Sequence, residues 1–160
     1  GGLAYGLNFG VELPRIKEIA AKYRPDSRLA QALWKEPVRE CRILAALLQP
    51  AEEFGQDLAE VWVEDVDNME IAQLTVMNLF SRLSCAPQLV FRWIADEREF
   101  VQVCGFLLAA RLLSRGVEIS PRAADELRDQ AEAVGPDASY FLRKAAATAL
   151  EKLAGEQAGE

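Results

Sequence analysis

The segment from Arg98 to Ser114 restricts the fold more than any other stretch of this chain. Phe100, Val101, Val103, Cys104, Phe106, Leu107, Leu108, Leu112 and Leu113 leave it almost without a polar face. A helix that is apolar all round must be covered by neighbours. No apolar stretch in the chain approaches the roughly 20 residues that cross a bilayer, so this segment is expected as the central helix of a water-surrounded protein, ended by Gly116.

The rest of the chain supplies helices to surround it. Leu13, Ile16, Ile19, Ala20 and Tyr23 fall at three-and-four spacing in a segment opened by Pro14, which predicts an amphipathic helix. Asp26-Ser27 caps a short helix carrying Leu29, Leu33 and Trp34, and Pro37 is expected to start another through Leu48, stopped by Pro50. Helical spacing runs from Ala51 to about Val63, and Asp67-Asn68 supplies a cap for a helix expected to reach about Ser84. Pro87 marks a short helix, Ser120-Pro121 opens a charged one to about Val134, and Ser139 to Ala154 forms the last. Nothing asks for a strand.

The 160 residues fit one domain, expected over 1–154 with a flexible polar tail at 155–160, and 51% apolar with 27% charged residues is globular composition. Gly1-Gly2 in place of Met leaves open a native helix upstream. The chain has no histidine, which removes Ser-His-Asp and Cys-His catalysis and the commonest metal ligand. Cys41, Cys85 and Cys104 lack the paired spacing of a metal or redox site and read as reduced thiols. With no signal segment, a cytoplasmic protein is expected. The net charge of −7 opposes a phosphate backbone overall, although a local basic stripe still attracts one within a screening length of about 8 Å.

The longer apolar segments, "RECRILAALL" from 39, "VQVCGFLLAARLL" from 101 and "LRKAAATALEKL" from 142, can be laid over one another. With the run from Ile71, their starts recur at a spacing of roughly 30 to 40 residues, that of stacked helix pairs. Periodicity leaves a solenoid and an irregular helical bundle both open.

Five segments in order, "NFGVELPRIKEIAAKY", "ALWKEPVRECRILAALL", "WVEDVDNMEIAQLTVMNLF", "DEREFVQVCGFLLAARLL" and "FLRKAAATALEKL", resemble the DNA alkylation repair family of AlkD-like alkylpurine DNA glycosylases. The resemblance implies an all-α fold: a right-handed superhelical stack of HEAT-like helix pairs, C-shaped, with a basic concave inner face for duplex DNA. It also implies hydrolysis of the glycosidic bond of cationic alkylated purines such as 7-methylguanine and 3-methyladenine. A carboxylate steadies the positive sugar in that reaction, and a fixed charge beside a developing one is usually the largest catalytic term. No metal, cofactor or membrane is required.

The family pattern of Trp-Asp followed by a catalytic Asp falls here on Met69, Glu70 and Gln73. The expected pocket arginine falls at Gln102 or Val103, and the tryptophan of the last helix at Thr148. The glycosylase pocket is thus expected to be degenerate. Glu70 lies one helical turn before Gln73, so its longer side chain is a candidate substitute, against the plainer reading of an acid at a helix start. Arg39, Arg42, Arg111, Arg143, Lys144 and Lys152 are the candidate DNA-facing cations. Trp34, Trp62 and Trp93 sit among Leu and Val at helical spacing and are expected in the core. Two functions follow as expectations: a non-catalytic repeat module that binds DNA or a protein partner, or an alkylpurine glycosylase with an altered pocket.

Overall fold

The computed structural model describes residues 7–158, with side chains through 156; the start at Gly1-Gly2 and the end of the expected tail, 159–160, lie outside the described residues. Helices follow in the order α1 (Leu13–Ala21), α2 (Ser27–Lys35), α3 (Arg39–Leu48), α4 (Gln56–Glu64), α5 (Met69–Asn78), α6 (Ala86–Ile94), α7 (Glu99–Ser114), α8 (Pro121–Glu132) and α9 (Tyr140–Ala158). Among the described residues there is no sheet, and an isolated parallel bridge joins Leu7 to Val38. The span expected as one domain divides into two compact units, 1–84 and 85–160.

In the first unit α3 packs against α1, α2 and α5. Trp34 of α2 stacks on Trp62 of α4 at 4.4 Å and 5°, and Phe54 meets Trp62 edge-on at 4.8 Å. Each such pair is worth about 0.5–1.5 kcal/mol beyond the area it buries. Three boundaries differ from the sequence reading. Val38 stays extended and α3 begins at Arg39, because Leu7 pairs with this stretch: its amide donates to Pro37 at 2.9 Å and its carbonyl accepts from the Arg39 amide at 3.0 Å. The segment from Ala51 is a 3₁₀ turn followed by extended Phe54, whose ring is buried, and α4 starts only after Gly55. Helix α5 stops at Asn78, since Leu79 leaves helical geometry (φ −131°, ψ −63°) and Leu79 and Phe80 both turn into the core.

In the second unit α7 packs against both α6 and α9, and α8 packs on α9 and α6. This is the covering that the apolar segment required, and its residues from Val101 to Leu113 are mostly buried. Gly105 permits the closest approach: a Cβ there would lie 2.7 Å from the Ile94 backbone nitrogen and 2.9 Å from the Trp93 Cβ. Gly116 takes φ 82° at the helix end, a geometry glycine adopts freely. Ser120 Oγ accepts from the Ala123 amide at 3.1 Å and starts α8 as its sequence anticipates. Helix α9 continues past the expected end at Ala154 to Ala158, because a single Gly155 costs a helix only about 1 kcal/mol. No helix is long and apolar enough to cross a membrane among the described residues.

Candidate functional site

The pocket positions of the first unit lie at the start of α5. Asn68 caps the helix, its Oδ1 accepting from the Ile71 amide at 3.0 Å, and this places Met69, Glu70 and Gln73 on the first turn and a half. Gln73 is exposed and Met69 half-buried. Glu70 turns to α3 and takes both ends of a guanidinium: Arg39 Nε donates to Oε1 at 2.7 Å and Nη2 to Oε2 at 3.0 Å.

Arg39 does not stop there. Its Nη1 donates to the Val11 carbonyl at 2.7 Å and to Glu40 Oε2 at 3.0 Å. Glu40 is itself buried and accepts from the amides of Phe9 at 3.0 Å and Val11 at 3.1 Å. One guanidinium and two carboxylates thus fasten the segment 7–11 to α3, and α3 to α5. The hydrogen bond to Glu70 raises the Arg39 pKa above its ordinary value, burial opposes it, and Glu40 adds to the rise. Burial pushes the Glu40 carboxyl up, but the amides of Phe9 and Val11, its own amide and Arg39 outweigh this and hold it below the usual carboxylate range.

The chemical consequence concerns Glu70. A carboxylate bound through both oxygens to one guanidinium has its charge compensated locally, so the candidate substitute acid is engaged with Arg39, while Gln73 carries no charge. Arg39, a candidate DNA-facing cation, has a side chain only 11% exposed and makes these four bonds inside the protein. Arg42 is likewise occupied: it lies 5.4 Å over the Trp34 ring and donates to the Trp34 carbonyl at 3.4 Å and the Asp65 carbonyl at 3.0 Å. These carbonyls lie at the C-terminal ends of α2 and α4, where a cation is favoured. Trp34, Trp62 and Trp93 are all core residues, as their spacing anticipates.

In the second unit Gln102 Nε2 donates to the Ile94 carbonyl at 3.3 Å, closing the end of α6, and Val103 is fully buried. Thr148 Oγ1 donates back to its own helix at the Lys144 carbonyl, 2.9 Å away. These positions therefore serve helix packing and helix ends. The cations differ from those of the first unit: Arg111, Arg143, Lys144 and Lys152 are exposed. Arg143 Nε donates to the Ala138 carbonyl at 3.1 Å, and Lys144 Nζ lies 5.8 Å from the centre of the Tyr140 ring. Burial raises the Cys104 thiol pKa, and burial together with Glu36 and Glu40 raises that of Cys41, so neither is primed as a nucleophile.

Sequence reasoning missed two features. Glu40, which the sequence reading did not single out, shares a helix face with buried Ile43. Tyr140 and Phe141, which the sequence reading did not single out, are both exposed. Tyr140 lies across the helix from the stripe formed by Leu142, Ala145, Ala146, Ala149 and Leu153, and Phe141 lies at its edge, one turn before Ala145.

The model of the family described as DNA alkylation repair enzyme matches residues 6–160. No curated protein matches the chain. A solved structure described as "A new family of proteins related to the HEAT-like repeat DNA glycosylases with affinity for branched DNA structures" superposes with a TM-score of 0.82 at 16% identity, covering 95% of this chain. This chain spans 66% of the length of that one. The likeness establishes a shared HEAT-like helical-repeat fold.

Proposed function

The chain belongs to the DNA alkylation repair enzyme family, and from that membership we propose that it is a non-catalytic helical-repeat module that binds DNA. One observation carries the reading. Where the family pattern calls for an ionised acid, Gln73 is neutral, and the neighbouring Glu70 is held through both oxygens by Arg39. An oxocarbenium-like sugar needs a fixed negative charge beside it, and Gln73 supplies none.

DNA binding is supported by the fold shared with a protein described as having affinity for branched DNA, and by the exposed cations Arg111, Arg143, Lys144 and Lys152. Arg39 and Arg42 hold the fold in this reading. The net charge of −7 favours a protein partner as the second reading. Titrating labelled duplex and branched DNA at increasing salt divides them, because phosphate contacts weaken steeply with salt. Binding at low salt that falls with salt supports the DNA module. Absence of binding at low salt overturns it and leaves the protein partner.

A further inference from the structure

We infer that the first two turns of α9 form a stacking platform for unpaired bases at a DNA branch point. The inference rests on the DNA-binding reading and assigns it a place and a chemistry. Tyr140 is 61% exposed and Phe141 43%. The core of the unit is built from other α9 residues; Phe141 packs in part on α7 and leaves much of its ring, with that of Tyr140, facing water.

Their arrangement is ordered. Tyr140 and Phe141 meet at 5.9 Å and 67°, and Phe141 rests against Phe100 of α7 at 6.1 Å and 39°. Lys144 stands over the Tyr140 ring, and Arg143 is anchored to the Ala138 carbonyl at the helix start. On a helix, positions 140, 143, 144 and 147 share one face, and Ala147 leaves that face low beside the cations.

Residues 140–150 of α9 carry a net positive charge, opposite in sign to that of the chain. Residues 140–150 contain Arg143 and Lys144 and no acid; Asp137 and Glu151 flank them. The N-terminal end of α9 adds the positive end of its dipole to the same place. Rings with adjacent cations are the chemistry that holds single-stranded nucleic acid, the bases stacking and the phosphates pairing with the cations. A closed duplex hides its base faces. A branch exposes them, so the platform favours branched over linear DNA.

The test compares the full chain with Tyr140→Ala and with the Tyr140→Ala/Phe141→Ala double variant, helical content being confirmed by circular dichroism. The probes are a three-way junction with unpaired thymines, carrying 2-aminopurine beside the branch, and a linear duplex of the same length. The parent chain should prefer the junction and change the 2-aminopurine emission. The single variant should lose part of that preference and the double variant about tenfold in junction affinity, with duplex binding unchanged. Junction preference retained in the double variant overturns the platform while leaving DNA binding intact. No binding of either probe by the parent chain overturns the DNA-binding reading as well.

Discussion

Arg39 grips Glu70 at 2.7 and 3.0 Å through two separate nitrogens, and so joins the start of α3 to the start of α5. The side chains are 11% and 31% exposed, shielded enough for the pair to count beyond the small value of a surface salt bridge. Glu70→Gln should therefore destabilise the protein by about 1–3 kcal/mol, with Arg39 keeping its bonds to Glu40 and Val11. Urea unfolding of Arg39→Gln, Glu70→Gln and the double variant measures the coupling; additive effects would mean that the pair contributes nothing of its own.

The buried Glu40 gives the fold a pH dependence of defined sign. Its carboxyl is held below the usual range in the folded state, so the stability it contributes is complete above the unfolded value and is lost as pH falls through the folded one. Glu40→Gln should cost about 2 kcal/mol at neutral pH. The gap between parent and variant should close as the pH is lowered below the ordinary carboxylate range. A gap that stays constant down to acid unfolding would contradict the assignment.

Gly105 is required by distance. A methyl group there meets the α6 backbone at 2.7 Å, and backbone cannot step aside as a flexible side chain can. Gly105→Ala should lower stability by about 1–3 kcal/mol, although alanine favours a helix over glycine by about 1 kcal/mol. Thermal unfolding decides the sign; a stabilised variant would mean that α6 and α7 separate at no cost.

The exposed cations make a separate prediction. Arg143→Gln and Lys144→Gln should each reduce the slope of log affinity against log salt by about one, uniformly across DNA sequences. Arg42→Gln should leave the slope unchanged while lowering stability, since it lies over Trp34 and on the helix-end carbonyls. The same loss of slope in all three would place Arg42 on the DNA.

Much of the helical frame was legible because its signals are local. Pro14, Pro87 and Pro121 each fall in a first helical turn, Asn68 and Ser120 cap helices, and Gly116 ends one. Helix ends set by tertiary contact were not legible: Val38 stays extended because Leu7, far off in the chain, pairs with it, and Leu79 leaves α5 to enter the core. At the site, the neutrality of Gln73 is visible in one letter. The fate of Glu70 is not, because Arg39 lies 31 residues away. Glu40 and the Tyr140-Phe141 pair were hidden for the same reason, since burial and exposure depend on which neighbours arrive.

We propose that the bond-breaking acid is gone while the scaffold remains. Incubating the full chain with duplex DNA carrying 7-methylguanine and 3-methyladenine, and quantifying released bases by chromatography, tests it most directly. Release indistinguishable from spontaneous loss in buffer is the expected result. Release that rises in proportion to protein concentration and turns over more than once would contradict it.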